Sequence, residues 1–561
     1  MSRRLSAVFF LMLSLTVSSC TADDGPWWEE EASGAVSQSS FVDTYHSPLK
    51  QGPYAVGSKS LFIVDSNRRF DPWGEVFGTP PYRALLADLE AAGEPRSLVA
   101  EIWYPVIPGH THGHARATYL DYYFGDRSIF ERRGVTPTLL TASGETVDEL
   151  SQNDPQAFVQ LADEVFDELA RRQRNSFVDA PIANGDFPLI VLSHGGFIGE
   201  FSNSSHREVW TTEAENLASH GYVVIAMNHT GDSRHAQVFH NPASPFAQQS
   251  DQQTIDAAYE TMFTEPGVPD KLFGLLFNPT AGMAVVHQMF QQLFQQRVDD
   301  VVAVIEHAKQ LNNHSNGFFY GHIDVQHIGV AGFSLGSMTT QAALSSVADI
   351  DTGIAWNNGM PKAWEPASFQ GIDKPILFSL GTEDELTRTI FTNLPYFIYP
   401  SIVPSGKPSD FLLLPAEQAF PLTPTNPEPI VQSTFDRAQG PKMLVKFIDM
   451  RHWDVVDSED YLFPLHELQS DNLAVGFNPV LRRLPIGAEV LDPDFVGAEF
   501  SILGWEQLGN SPHHTYQPHK IRSYYSVAWF GLHLKGIERY RKDLLDDPFS
   551  QDTVVVAQGI D

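Results

Sequence analysis

The pentapeptide Gly332-Phe333-Ser334-Leu335-Gly336 has the form G-x-S-x-G. Its chemistry depends on context. Between a strand and a helix, the tight turn holds a serine hydroxyl out at the end of a sheet, above the helix N-terminus. The glycines let strand and helix pass closely. The apolar run 328–331 leads into the motif and a small-residue stretch, 338–346, follows it, which predicts that strand, turn and helix. An ordinary Gly-Ser turn would give the same five letters. A nucleophile is distinguished by a histidine that takes its proton and a carboxylate that orients the histidine.

In a sheet of this kind the acid and then the base follow the serine along the chain. The apolar run 375–380 ends in Gly381-Thr382-Glu383-Asp384, and the run 443–448 ends in Asp449-Met450-Arg451-His452. His452, just past the last of these strands, is the candidate base. Asp384 is the candidate acid, with Glu383 and Glu385 as neighbouring carboxylates. Upstream, Ser193-His194-Gly195-Gly196-Phe197 closes the apolar run 187–192. Its glycines can turn backbone N–H groups into the site, so the oxyanion hole is assigned to the N–H of Gly196 and the N–H of Leu335.

These residues need a scaffold that brings distant strand ends together. Runs 187–192 and 222–227 are continuously apolar, as strands buried on both faces are, and runs 328–331, 353–356, 375–380 and 443–448 complete the series. Runs 61–64 and 98–104 read as an opening strand pair. Helical spacing marks Phe158, Ala162, Val165, Phe166 and Leu169, then Val301, Val302, Ile305 and Ala308, and a late helix over 525–534. Strand–helix alternation of this kind predicts an α/β fold, a mostly parallel central sheet flanked by helices.

The chain has 561 residues, 62.4 kDa, more than such a core needs. Residues 51–561 therefore read as one hydrolase-type domain with large cap or lid insertions at about 106–185, 235–295, 388–440 and 455–518. Leu272, Phe273, Leu275, Leu276 and Phe277, then Val286, Phe290, Leu293 and Phe294, and the aromatic and proline stretch 391–403, are candidates for an apolar cap over the serine. Packing of the insertions onto the core would account for the same residues. With 36 Lys+Arg against 69 Asp+Glu the formal net charge is -33, which repels nucleic acid. His110-Thr111-His112-Gly113-His114 and His513-His514 have no carboxylate pair at ligand spacing and read as loops rather than metal sites. No phosphate-binding glycine loop occurs, and the chemistry of Ser334 needs no cofactor or metal.

Residues 1–19 carry Arg3 and Arg4 ahead of an apolar run, 7–17, that is too short to span a bilayer. Val17-Ser18-Ser19-Cys20 resembles the bacterial lipobox, and Cys20 is the sole cysteine, so intrachain disulfides are excluded. This predicts a lipoprotein signal peptide, lipidation at Cys20, a flexible tether over 20–50, and an extracytoplasmic enzyme held at an outer membrane or cell surface. Ordinary cleavage near Ala22 would instead give a periplasmic or secreted protein.

Five further segments carry a family resemblance. They are Gly52-Pro53-Tyr54-Ala55-Val56-Gly57, Glu101-Ile102-Trp103-Tyr104-Pro105, Phe187-Pro188-Leu189-Ile190-Val191-Leu192-Ser193-His194-Gly195, Leu217-Ala218-Ser219-His220-Gly221-Tyr222-Val223-Val224, and the elbow with its preceding Ile323-Asp324-Val325. Together they resemble the platelet-activating-factor acetylhydrolases and their bacterial relatives labelled predicted dienelactone hydrolases. The resemblance covers about half the chain. It implies an α/β-hydrolase fold and a metal-free serine esterase acting on short or truncated acyl esters, sometimes of phospholipids. The acetylhydrolases carry their acid in a segment like Gly353-Ile354-Ala355-Trp356-Asn357, where this chain has Asn357. The bacterial relatives carry it after the next strand, where Asp384 stands. A cysteine nucleophile, as in dienelactone hydrolase proper, is excluded.

The expectation is a serine ester hydrolase with Ser334, His452 and Asp384 as its triad and a small-molecule or lipid ester as substrate. The alternative is a non-catalytic lipid- or ligand-binding lipoprotein on a hydrolase scaffold, to which Asn357 lends weight.

Overall fold

The computed structural model describes residues 27–28, 49–69, 95–123, 139–141, 153–171, 173–195, 207–229, 282–382, 384, 428–450, 452–457, 473–475 and 516–560. Cys20 and Gly196, the carboxylates Glu383 and Glu385, the apolar residues 272–277 and 391–403, and His513-His514 lie outside the described residues.

A long hairpin opens the sheet: β1 (Ala55–Arg69) pairs antiparallel with β2 (Pro95–Val106), with Ala55 opposite Val106. Short strands β3 (Arg116–Thr118) and β5 (Gln173–Val178) extend its outer edge, and β4 (Leu139–Thr141) pairs apart from it with β12 (Leu473–Val475). The central strands are β6 (Phe187–Ser193), β7 (Val223–Met227), β8 (Ile323–Phe333), β9 (Thr352–Trp356), β10 (Ile376–Gly381) and β11 (Lys442–Phe447). All of these pair parallel with one another, and β13 (Thr553–Gln558) closes the far edge antiparallel to β11.

The strand order is β13-β11-β10-β9-β8-β6-β7-β2-β1-β5-β3. From β1 to β11, leaving out the edge strands β3 and β5, the strands lie in the order first, second, fourth, third, fifth, sixth, seventh, eighth. One antiparallel member, β2, sits among the parallel ones. That is the α/β-hydrolase fold. It gathers the carboxyl ends of β6, β8, β9, β10 and β11 along one rim of the sheet, where ligands bind in parallel α/β proteins.

Alternation along the strands explains why the central runs are apolar throughout. On β6, Leu189 and Val191 join one core while Ile190 and Leu192 join the other. The first core is closed by α3 (Gly282–Asn313), α4 (Leu335–Ser346) and α5 (Glu428–Arg437), through Phe294, Val301, Met338, Ala342, Val431 and Phe435. The second is closed by α2 (Thr211–Ser219) and α6 (Tyr516–His533), through Leu217, Ile521, Tyr525 and Trp529. Helix α1 (Pro155–Arg171) follows the predicted periodicity, and α7 (Arg539–Asp546) packs against α6.

Three differences from the sequence reading have physical causes. The segment 106–185 is not wholly an insertion, because β5 pairs parallel with β1 and β3 pairs with β5. The segment 235–295 ends inside α3, whose first residues it supplies. Within the expected tether, Trp27 stacks on Tyr524 at 5.3 Å and donates its indole N–H to Asp543 at 3.0 Å. An aromatic pair offers enough apolar area to dock a chain that is otherwise polar.

Burial also sets a pH limit. Burial pushes the imidazole of His220 down to about 4 and that of His229 to about 3, and puts His519 well below its ordinary value. Each therefore stays neutral in the fold but titrates near 6.5 once unfolded. Below pH 6.5 the unfolded chain binds more protons, so each histidine removes up to about 1.4 kcal/mol of stability per pH unit. Burial lowers His533 to about 4 and His307 as well, adding to this trend, while Glu215, pushed up to about 7 by burial, and the raised carboxyls of Asp186, Asp299 and Glu365 act in the opposite sense. Urea unfolding midpoints should fall steadily from pH 7 to pH 5. A flat profile would show that these histidines are already protonated in the fold.

Candidate active site

The elbow sits where strand β8 meets α4. Ser334 has φ 55° and ψ -116°, a conformation that non-glycine residues adopt only when their surroundings impose it. The imposing contacts are on both sides. The Ser334 N–H donates to the carbonyl of Trp356 on β9 at 3.0 Å, and its own carbonyl accepts from the N–H of Ser337 at 3.0 Å to start α4. A Cβ on Gly332 would lie 2.1 Å from the carbonyl oxygen of Gly336, and one on Gly336 would lie 2.0 Å from that of Ser193. Strand, helix and the neighbouring β6 therefore approach as closely as bare backbone allows. Ser334 retains 9% exposure at this turn.

The candidate base and acid come from later strand ends. His452 opens a short 3₁₀ turn, His452–Val455, just past β11. Its Nδ1 lies 2.8 Å from Asp384 Oδ2, and both side chains are buried. The ring of Phe333, the residue before the serine, lies 4.7 Å from the imidazole. The turn is fixed from several directions: Arg522 of α6 donates to the carbonyl of Val455 and, at 3.0 Å, to Glu213 of α2. The N–H of Asp457 donates to the carbonyl of Val209 at 3.2 Å. Asp384 is set by a tight turn off β10, its N–H donating to the carbonyl of Gly381 at 3.2 Å.

Asn357, at the end of β9, also reaches the histidine, but at the backbone. Its Nδ2 donates to the carbonyl of His452 at 3.1 Å, while its Oδ1 accepts from Ser379 Oγ at 3.0 Å. It sits at φ 49°, in the left-handed region that asparagine tolerates. Asn357 thus braces the loop, and Asp384 holds the ring. Of the two residues assigned to the oxyanion hole, Leu335 is the first residue of α4, where backbone N–H groups have no partner within the helix. Gly196 lies outside the described residues, but the preceding Gly195 does not: a Cβ there would stand 3.1 Å from Ser334 Cβ.

Other candidates separate from the site. Phe290, Leu293 and Phe294 pack into the first core, with Phe290 stacked on Trp364 at 3.9 Å, so for them packing rather than capping is the finding. His110 and His112 are exposed, and His114 Nδ1 lies 3.1 Å from the carbonyl of Val178. Among the described residues no group of three His, Cys, Asp or Glu side chains can hold a metal ion. No described helix is long and apolar enough to cross a membrane. Sequence reasoning did not single out His229, Arg297 or Asp300, which lie behind the Ser193-His194-Gly195 segment.

With this geometry the chain shows an α/β-hydrolase fold carrying a nucleophile elbow. Residues 170–385 match the family model of platelet-activating factor acetylhydrolase, isoform II. That segment contains Ser334, Asn357 and Asp384 and stops short of His452. Among solved structures the chain is similar to a ferulic acid esterase from Streptomyces cinnamoneus. The two share 17% identity over 90% of this chain and 96% of that one, with a TM-score of 0.46. No curated protein matches.

The elbow's close approach gives a direct test. Gly336→Ala places a methyl group into the β6 backbone, which only a separation of strand and helix can relieve. The expected loss is about 3 kcal/mol or more of unfolding free energy in urea melts. A variant as stable as the parent would show that the crossing is looser than described.

Proposed function

We propose that the protein is a serine carboxylic ester hydrolase that cleaves apolar or short-acyl esters outside the cytoplasm. The observation that carries this reading is the buried 2.8 Å contact between His452 Nδ1 and Asp384 Oδ2, with the imidazole 4.7 Å from the ring of Phe333, the residue before a serine held at positive φ. With its Nδ1–H donated to the carboxylate, the imidazole presents a lone pair at Nε2. In the proposed reaction that lone pair takes the proton of Ser334 Oγ as the oxygen attacks the ester carbonyl. Negative charge gathers on the carbonyl oxygen, where the N–H groups of Leu335 and Gly196 are assigned to receive it. His452 returns the proton to the leaving alcohol, and water then cleaves the acyl-enzyme by the same steps. Asp384 supplies the charge that stabilises the imidazolium. The amide of Asn357 cannot, and the brace it forms accounts for its presence without invoking a decayed, non-catalytic scaffold.

Steady-state hydrolysis of p-nitrophenyl esters of rising chain length, beside a phospholipid and a polyester, tests the reaction and ranks substrates. Ser334→Ala should lose at least about 10³-fold in kcat, and Asp384→Asn about 10⁴-fold, with folding retained. Asn357→Ala should lose less than Asp384→Asn. The reverse order would move the acid's role away from Asp384, and undiminished turnover in Ser334→Ala would end the esterase reading.

The location forms part of the same proposal: lipidation of Cys20 would tether the enzyme to a membrane, with the acidic body in solution. A single acyl chain anchors only marginally, whereas the several chains of a bacterial lipoprotein hold firmly. Cys20→Ala should therefore shift the protein from the membrane to the soluble fraction on cell fractionation. An unchanged distribution would discard the anchor.

A further inference from the structure

A second serine–histidine–carboxylate chain lies behind the site, with no exposed member. Ser193 Oγ, at the end of β6, lies 2.9 Å from His229 Nε2, and His229 Nδ1 lies 2.9 Å from Asp300 Oδ2. Ser193, His229 and Asp300 are each fully buried, so this serine cannot meet a substrate. The protonation pattern is nevertheless fixed. Burial alone would raise the Asp300 carboxyl, but Arg96, His229 and Arg68 outweigh it and hold it well below the usual carboxylate range. Arg96 grips both carboxylate oxygens at 2.6 Å, and Arg68 adds a contact at 2.8 Å. An ionised Asp300 accepts the Nδ1–H of His229. The neutral ring then offers Nε2 as acceptor for the hydroxyl of Ser193.

The chain continues into the segment that touches the nucleophile. The backbone N–H of His229 donates to His194 Nε2 at 2.9 Å, which leaves the proton of His194 on Nδ1, where it faces the carbonyl of Gly195. Arg297, one helical turn before Asp300 on α3, donates to the carbonyl of His194 at 2.6 Å and to that of Gly195 at 3.4 Å. Because a peptide group is planar and trans, holding its carbonyl on one side turns its N–H to the other. Arg297 of α3 and the ring of His194 thus hold the carbonyls of His194 and Gly195 beside Ser334, while Ser193 of β6, His229 just past β7 and Asp300 of α3 fix the groups behind them.

We propose that Ser193, His229 and Asp300, together with Arg297, are positioning residues that set the peptide groups of His194 and Gly195 for oxyanion binding at Ser334. The proposal rests on the esterase reading above and extends it. The relay moves no proton during turnover and touches no substrate. It converts the fixed charge of Asp300 into a fixed orientation of backbone, so that the strand end needs no reorganisation when negative charge develops. A misplacement of about 1 Å at such a site costs on the order of 100-fold in rate.

The full-length wild type and Ser193→Ala are compared after titrating active sites with a fluorophosphonate, so that unfolded protein is not counted, and Ser334→Ala, which offers the probe no nucleophile, is compared per mole of folded protein. Per titrated site, Ser193→Ala should lower kcat on p-nitrophenyl butyrate by about 10- to 100-fold, with KM within about twofold of wild type. Its affinity for a trifluoromethyl alkyl ketone, whose serine adduct carries an oxyanion, should fall by the same factor as kcat/KM. A purely structural role would lower the thermal midpoint and the number of titratable sites, leaving both per-site values at wild type. That result overturns the relay. Should Ser193→Ala yield no titratable sites, His229→Gln decides by the same two values. Wild-type turnover in Ser334→Ala would instead sink the esterase reading itself, a separate outcome.

Discussion

The structure depends on a backbone crossing. Strand β8 must turn into α4 within a residue or two, with β6 alongside, and only glycine at 332 and 336 leaves room for three main chains to meet there. The serine between them is held in a conformation that costs of order 1–3 kcal/mol. Such strain persists because the strands on either side are buried on both faces. Val330 belongs to one core and Ala331 to the other, and neither strand nor helix can relax without disturbing a closed layer.

From that crossing the positions of the other groups follow through parallel pairing. Neighbouring parallel strands stand about 4.8 Å apart, so the ends of β9, β10 and β11 step away from Ser334 in small increments. Residues more than a hundred positions apart in the chain then share one rim. Loops at that rim are held by charges that the fold has buried and paired. Arg522 ties the turn after His452 to Glu213 of α2, and Asp300 draws Arg68 and Arg96 of the opening hairpin onto α3. Buried pairs of this sort add little net stability over an apolar core, but removing one partner strands the other. Their effect here is to make the rim geometry unique.

The central strands were legible in the sequence because burial on both faces leaves unbroken apolar runs, and the elbow was legible because its glycines are a steric requirement. The edges were not. Strand β13 has valine at three of its six positions, on both faces, and alternates exposed with covered positions, Val554 being 49% exposed and Val556 37%, so polarity carries no alternation to read. Helix α2 is wholly buried yet carries Glu213, Glu215 and Asn216, a composition that reads as solvated surface until Arg522 and the backbone of Asn175 are seen to meet it. The buried relay gave no local signal, since His229 lies two residues past a strand and Asp300 lies within a helix 71 positions further on. The fifteen-residue strand β1 was visible only in its apolar centre, because its buried first residues mix Gly57 and Ser58 with apolar ones and its last residues run into solvent.

The position of the proposed acid shows what a histidine base requires. Its backbone must be placed, and its ring must be oriented by a charge, and these are separable tasks. Here the end of β9 performs the first with an amide, which can donate to the carbonyl of His452 and accept from Ser379 at once. A carboxylate at 357 could accept from Ser379 but could not donate to that carbonyl. The turn after β10 performs the second with Asp384, whose carboxylate lies 2.8 Å from the ring. Because β9 and β10 are parallel neighbours, either strand end lies within reach of the same imidazole, and the charge can sit on one provided that the other fixes the loop. Asparagine in the slot where an acid is expected therefore marks a division of labour between two strands and leaves the proposed base with both of the supports it needs.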